Sequence, residues 1–310
     1  MTTATAVPEL TYRGEILEPD HLALMDDGTP LLDDRAALRH HMATHGYVYL
    51  PGFLGRERVR RGRETFIERL KESGALDDRF DPMEGILKEG GKAPGFAGGL
   101  LSDLFPSPQW QAIHEVLYAG PMREFFSLYF DAPVRAYDYT WTRQVNPGPA
   151  TEIHSDVVYM GRGTHELFTA WTPFGDNGFD LGGLLLLEGS NNHGGLAKSY
   201  WKRDVDQFCE NKPESRSWGK SWGTNGGLSG TAAQLRRSLG YDRWVTGDYR
   251  MGDVVIFSVY TVHGGTDNRS NKVRLSTDTR YQRADAPIDE RWVGEKPVGH
   301  GPGGKRGVIC

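Results

Sequence analysis

Two residues of types that bind transition metals, His154 and Asp156, stand one residue apart in the segment TEIHSDVV. On an extended strand, residues i and i+2 project from the same face, so an imidazole nitrogen and a carboxylate oxygen placed in this way reach one ion side by side. A His-x-Asp pair also arises by chance in many sequences. A metal site is therefore indicated only if a further ligand is found elsewhere in the chain.

The third ligand is expected at His263, which ends the apolar run DVVIFSVYTV. A histidine at the end of a strand, next to a turn, is well placed to meet a ligand pair from another strand of the same β core. Two histidines and one carboxylate on one face of a divalent metal leave three coordination positions open. Such a site suits oxygen chemistry, because a bidentate oxo acid takes two of these positions and dioxygen takes the third.

An anion-binding residue follows on the next strand, where Arg274 begins the segment RLSTDTRYQ. The intervening GGTDNRSNK is rich in turn formers, which predicts that His263 and Arg274 lie on one hairpin. A guanidinium captures a carboxylate with two hydrogen bonds, so a dicarboxylate bound to the metal by its 2-oxo acid end is expected to reach Arg274 with its distal carboxylate. Ser276 shares that face and adds a hydroxyl donor. Alternatively, Arg274 only pairs with an acidic neighbour such as Asp278.

The elements that must position these residues divide the chain into helices first and strands later. One domain over residues 1–310 is expected, with N-terminal helices over about 33–130, a β core over about 132–283 and a C-terminal tail over 284–310 that wraps the surface. This order predicts a mainly β fold in which two sheets are supported by flanking helices. The Gly- and Pro-rich segment 80–106 is predicted to be a long loop.

Composition narrows the function classes. The 310 residues carry a formal net charge of −5, which disfavours a dedicated nucleic-acid binder. Two cysteines are too few for a disulfide framework or a cysteine-rich zinc site. Neither a signal peptide nor a membrane span is indicated, so a cytoplasmic monomer or homodimer without membrane or nucleic-acid partners is expected.

The combination of these motifs resembles the phytanoyl-CoA dioxygenase family of iron(II)- and 2-oxoglutarate-dependent oxygenases. The resemblance covers roughly residues 35–285 and includes His154-Ser-Asp156 and Arg274-Leu-Ser276. It also includes the segments GYVYLPGFL, GSNNHGG, GDVVIF and VHGG, and the pair Arg280-Tyr281.

The resemblance implies a double-stranded β-helix, the jelly roll shared with cupins. It implies His154, Asp156 and His263 as the catalytic iron(II) ligands, with 2-oxoglutarate as co-substrate and dioxygen as oxidant. Arg274 is implied to bind the distal carboxylate, with Ser276 beside it. Thr142 and Tyr139, on the strand before the motif, are expected to contact the co-substrate. Because related halogenases lack the carboxylate ligand, Asp156 favours hydroxylation or another oxidation over halogenation.

The substrate is expected to be a small organic molecule, with the tailoring of a secondary metabolite as the favoured role. Four aromatic residues are predicted to line an apolar pocket, unless they pack in the core or in a lid over residues 217–230: Trp141, Tyr159, Trp218 and Trp222. Two other functions remain open. One is a cupin-like metal enzyme that does not use 2-oxoglutarate, and the other is a non-catalytic jelly-roll binding protein.

Overall fold

A computed structural model describes residues 7–106, 108–207, 226–300 and 304. Within these residues the α-helices are α1 Arg35–His45, α2 Arg56–Glu72, α3 Leu101–Leu104, α4 Trp110–Tyr118, α5 Gly120–Phe130, α6 Val157–Met160, α7 Gly194–Lys198 and α8 Ala232–Leu239. The strands are β1 Thr11–Tyr12, β2 Glu15–Ile16, β3 Leu22–Leu24, β4 Tyr47–Leu50, β5 Phe96–Gly99, β6 Val134–Ala136, β7 Thr140–Val145, β8 Leu167–Pro173, β9 Leu184–Leu187, β10 Trp244–Thr246, β11 Val254–Ser258, β12 His263–Gly265 and β13 Arg274–Arg283.

Local sequence signals set the ends of the first long helix. The Asp34 side chain accepts hydrogen bonds from the backbone N–H groups of Ala36 and Ala37, and so caps the start of α1. Gly46 ends the helix in the left-handed conformation, with φ of 83°. These two residues place β4 directly after the helix.

Two sheets form the core of a jelly roll, and the larger has seven strands. Its strands run in the order β4-β11-β8-β13-β7-β5, with β6 paired to the far end of β13. The smaller sheet has the order β12-β9-β10-β3. The sheets remain open rather than closing into a barrel. The predicted fold class, mainly β with flanking helices, is confirmed.

Strand β13 is central in the larger sheet, between β8 and β7, and it is buried on both faces. Leu275 and Tyr281 belong to the apolar cluster formed with the N-terminal helices. Successive side chains of a strand alternate between faces, so Arg274, Ser276 and Arg280 point to the opposite side, between the two sheets. The polar side chains of β13 therefore lie in the interior of the jelly roll, between the two sheets.

Two expectations about local structure are wrong. His263 and Arg274 do not share a hairpin, because β12 pairs with β9 in the smaller sheet whereas β13 pairs with β7 and β8 in the larger one. Segment 80–106 is not one long loop either. Phe96–Gly99 pairs with β7 as an edge strand, and Leu101–Leu104 forms a short helix.

Two further expectations concern membrane-spanning helices and the segment over residues 217–230. Among the helices that the structure describes, none combines the length and the apolar character needed to cross a membrane. Trp218 and Trp222 lie outside the described residues, as does most of the segment expected to form a lid.

Candidate metal centre and its two cavities

The two histidines are brought together by backbone pairing. His154 continues the smaller sheet beside β12, and the backbone N–H of each histidine donates to the carbonyl of the other at 2.8 Å. The Nδ1 atom of His154 lies 2.8 Å from the carbonyl of Glu152, and that of His263 lies 2.9 Å from the carbonyl of Thr261. A hydrogen bond at Nδ1 leaves Nε2 of each ring as the free metal-binding nitrogen.

Asp156 completes the group from a turn, not from a strand. Its backbone is in the right-handed helical region, with φ of −63° and ψ of −26°, and it directly precedes α6. The strand geometry predicted for the His-x-Asp segment is therefore wrong, although the side chains still converge. Asp156 Oδ1 lies 3.5 Å from His154 Nε2 and 3.7 Å from His263 Nε2.

The donor set fits a divalent metal. One ligand atom from each of the three residues lies within 4.8 Å of the others. Two neutral imidazoles and one carboxylate on one side of an ion form the set that non-haem iron(II) oxygenases use. In the part of the chain that the structure describes, this is the one group of three or more such residues close enough to hold an ion.

The second oxygen of Asp156 is held by two donors that the sequence analysis did not single out. Thr169 Oγ1 donates to Oδ2 at 2.6 Å, and Arg280 Nη2 donates to the same atom at 2.9 Å. Burial alone favours the neutral acid, but the charge of Arg280, together with the interactions of the two adjacent histidine rings, holds the pKa of Asp156 well below its usual range. Asp156 is therefore a carboxylate ready to bind a cation.

Burial has the opposite consequence for His263. Desolvation of the ring, together with the neighbouring His154, lowers the pKa of His263 to about 4. The imidazole is therefore neutral at physiological pH, as metal binding requires.

This lowered pKa predicts a pH-dependent stability. In the unfolded chain His263 takes up a proton below about pH 6.5, whereas in the folded protein it resists protonation until about pH 4. As the pH is lowered from about 6.5 to about 4, the free energy of unfolding of the metal-free protein should therefore fall by up to about 3 kcal/mol. Urea unfolding with a chelator present measures this fall. His263→Gln should flatten it, and equal pH slopes for both proteins would contradict the assignment.

Arg274 lies in a narrow cavity that both histidines line, together with Trp171, Phe257 and Gly265. It is 5% exposed, and no ion pair to it is formed within the described residues. Asp278, the alternative partner expected from the sequence, is held instead by Arg143, whose Nε lies 2.6 Å from Oδ2. Burial, with the nearby Arg143 charge, lowers the pKa of Arg274 to about 10, which still leaves it a cation.

The charges of this narrow cavity suit one added carboxylate. Two guanidinium groups, those of Arg143 and Arg274, face the single carboxylate of Asp278. Isolated buried cations are costly, so an unpaired guanidinium here indicates a site for an anion. Ser276 is on the same strand face, and its buried hydroxyl makes no hydrogen bond within the described residues. These features fit the distal carboxylate of 2-oxoglutarate.

Thr142 and Tyr139 do not face this cavity. The Thr142 hydroxyl donates to the backbone carbonyl of Ala97 on the outer side of β7. The Tyr139 ring packs against Trp141 and Trp292. Strand alternation turns Thr142 away from Arg274 and packing holds Tyr139 elsewhere, so neither residue lines the cavity that contains Arg274.

A second cavity, of about 790 Å³, opens on the other side of the metal-binding group. His154 and Asp156 line it, and so do Trp141 and Tyr159, as expected from the sequence. His300 lines it as well, so the C-terminal tail contributes to the site and does not only wrap the surface. The other side chains that shape this cavity include Arg13, Phe96, Arg143, Pro147, Pro149, Glu152, Met160 and Arg280.

Known proteins share both the sequence pattern and the fold. The sequence model of the phytanoyl-CoA dioxygenase family matches residues 42–276. A 1-deoxypentalenic acid 11-beta-hydroxylase from Streptomyces exfoliatus is 28% identical over 279 residues, covering 86% of this chain and 87% of the relative. A protein of the same description from Streptomyces arenae is 29% identical over 186 residues, covering 54% of this chain and 58% of that protein.

Solved structures agree on the fold. EctD from S. alaskensis with bound Fe has a TM-score of 0.55 at 15% identity, with 95% of this chain and 91% of that chain covered. The carbocyclase SnoK from nogalamycin biosynthesis has a TM-score of 0.54 at 20% identity, with 80% and 84% covered. Since the family model spans most of the sequence, the chain belongs to the phytanoyl-CoA dioxygenase family and is an oxidoreductase that depends on iron(II), 2-oxoglutarate and dioxygen.

Proposed function

We propose that this enzyme hydroxylates a small, largely apolar organic molecule, with His154, Asp156 and His263 as the iron(II) ligands. Arg274 binds the distal carboxylate of 2-oxoglutarate. One observation carries this proposal: the three ligand atoms lie within 4.8 Å of one another, and a buried guanidinium without an ion pair lines the cavity beside the two imidazoles.

The chain's own residues keep the two substrates apart. The co-substrate cavity contains His263 and Arg274, whereas the larger cavity contains Asp156 and Trp141, and His154 borders both. Iron(II) bound there, with 2-oxoglutarate, supplies the activation of dioxygen and the oxidising power for attack on a C–H bond. The surrounding side chains orient the two organic molecules and exclude water.

The narrow space around Arg274 favours a side-chain movement when the co-substrate enters. The space around Arg274 amounts to only about 20 Å³. We infer that Arg143, which borders both cavities and is held by Asp278, is the side chain that moves to admit the co-substrate to Arg274. The distal carboxylate of 2-oxoglutarate then pairs with the guanidinium of Arg274.

The lining of the larger cavity supports the substrate class. Phe96, Trp141, Pro147 and Met160 offer apolar surface, and charged groups such as Arg13 stand among them. Cavities of this composition hold mainly apolar ligands that carry a few polar groups. The hydroxylase from Streptomyces exfoliatus, named for an organic acid, supports a hydroxylation of this kind, and we propose a role in secondary metabolism.

We further propose that residues 1–310 form one domain, in a cytoplasmic monomer or homodimer that acts on free small molecules and not on nucleic acid. The net charge of −5 supports this choice of partner.

A screen of candidate organic molecules tests the proposed reaction. Purified enzyme with iron(II), 2-oxoglutarate and dioxygen should form succinate, and a true substrate should raise succinate formation and yield equimolar hydroxylated product. Turnover of a substrate without 2-oxoglutarate would instead favour a cupin-like enzyme. Failure to bind iron(II), cobalt(II) or manganese(II) at one ion per chain would favour a non-catalytic binding protein.

A further inference from the structure

The two carboxylate oxygens of Asp156 have different surroundings. Oδ1 faces the two imidazoles, at 3.5 and 3.7 Å from their Nε2 atoms. Oδ2 faces away and accepts the hydrogen bonds of Thr169 and Arg280, at 2.6 and 2.9 Å. An oxygen that already accepts two short hydrogen bonds, one from a cation, is a poor ligand for a second cation.

The polar contact of Arg280 is made with this carboxylate. It is 2% exposed, and Asp156 is its one polar side-chain partner within the described residues, because its Nε and Nη1 atoms make no hydrogen bond there. Its guanidinium plane is fixed by Trp141, whose ring centroid lies 4.2 Å from Cζ. Among the described residues, the guanidinium therefore directs its one polar contact to the Asp156 carboxylate.

The strands set this arrangement rigidly. Thr169 and Arg280 are directly opposite each other in the pairing of β8 with β13, so their side chains stand next to each other on one sheet face. Asp156 approaches that face from the turn before α6. Both donors therefore come from the larger sheet, whereas both imidazoles belong to the smaller one.

We propose that Thr169 and Arg280 are positioning residues that hold Asp156 as a one-oxygen ligand, so that the metal keeps three open positions. This inference rests on the proposed function, since two of those positions are the ones that 2-oxoglutarate needs. Without the two donors, Asp156 is free to turn and offer both oxygens to the metal. One position is then blocked, and the co-substrate loses its second bond.

Calorimetry on the full chain separates the two binding steps, with cobalt(II) as the probe metal. The first titration gives the Kd of cobalt(II), and the second gives the Kd of 2-oxoglutarate for the cobalt-loaded protein. Arg280→Met should raise the Kd of 2-oxoglutarate by about tenfold or more, because the co-substrate loses one of its two bonds to the metal. The Kd of cobalt(II) should change by no more than about threefold, since the ligands remain and gain an oxygen.

Companion variants separate positioning from charge. Thr169→Val keeps every charge and nearly the volume, and it should still raise the Kd of 2-oxoglutarate several-fold. Arg280→Lys retains one donor and should restore only part of the affinity. Arg283→Met removes a half-exposed cation from the end of the same strand, where it pairs with Asp285, and should leave both constants unchanged. If Arg280→Met does not fold, Thr169→Val decides alone.

The outcomes differ for the two proposals. If the unaltered protein binds neither cobalt(II) nor 2-oxoglutarate, the proposed function fails. If it binds both and Thr169→Val matches it in both constants, only the positioning role is overturned. Folded variants that lose cobalt(II) together with 2-oxoglutarate would also overturn it, because the two donors would then be needed for metal binding itself.

Discussion

Asp156→Ala should abolish succinate formation and should also destabilise the metal-free protein by about 3–5 kcal/mol. The first effect follows from the loss of the one carboxylate ligand in the set of His154, Asp156 and His263. The second follows from Arg280, which is 2% exposed and would keep its buried charge without its partner. Removing one member of a buried ion pair typically costs this much.

A double variant distinguishes the two effects. Asp156→Ala combined with Arg280→Met removes both charges and should recover most of the lost stability, because no buried ion remains without a partner. It should recover no activity, since the ligand is still missing. Urea unfolding of the metal-free proteins measures the stability, and succinate formation measures turnover. Activity of either variant close to that of the unaltered enzyme would show that Asp156 is not a metal ligand.

The sequence indicates residue types for the candidate site, but it does not indicate how their side chains are arranged. His154 and Asp156 were expected on one face of a strand, whereas Asp156 stands in a helical turn. The ligands converge because the His154 backbone pairs with β12 and the turn then directs Asp156 towards the rings. Residue type and spacing carry no information about such a turn.

The link between His263 and Arg274 shows a similar limit. The turn-forming residues between His263 and Arg274 indicate that the chain changes direction. They do not indicate whether the next strand belongs to the same sheet. The eight residues 266–273 are enough to cross from the smaller sheet to the larger one. Both side chains still reach one cavity, because facing sheets direct their inner residues towards each other.

Some parts of the fold depend on contacts that no local pattern reveals. Phe96–Gly99 contains two glycines, which disfavour strands, and it is extended because β7 offers a free edge. The sequence alone could have indicated that Arg280 is a buried charged residue. Strand alternation from Arg274 puts it on the inner face, where a charged residue needs a partner. Its link to Asp156, by contrast, requires knowledge of how α6 approaches β13.

Arg274→Leu should raise the Kd of 2-oxoglutarate for the cobalt-loaded protein more than any other change outside the three ligands. Loss of one member of a buried, hydrogen-bonded charge pair costs about 2–5 kcal/mol, which corresponds to roughly 30-fold to a few thousand-fold in affinity. Arg274→Lys keeps the charge but loses the two-donor geometry, so an intermediate value is expected. Binding of cobalt(II) itself should be nearly unchanged.

The same substitution should not destabilise the ligand-free protein. Arg274 is 5% exposed without an ion pair among the described residues, and burial lowers its pKa to about 10, so its charge is a cost that only the bound co-substrate offsets. Leucine removes this cost while filling part of the space, and the unfolding temperature without 2-oxoglutarate should stay equal or rise. Addition of 2-oxoglutarate and cobalt(II) should then stabilise the unaltered protein much more than Arg274→Leu. A clear fall in the stability of the ligand-free variant would show instead that Arg274 holds the fold together, and that the anion site lies elsewhere.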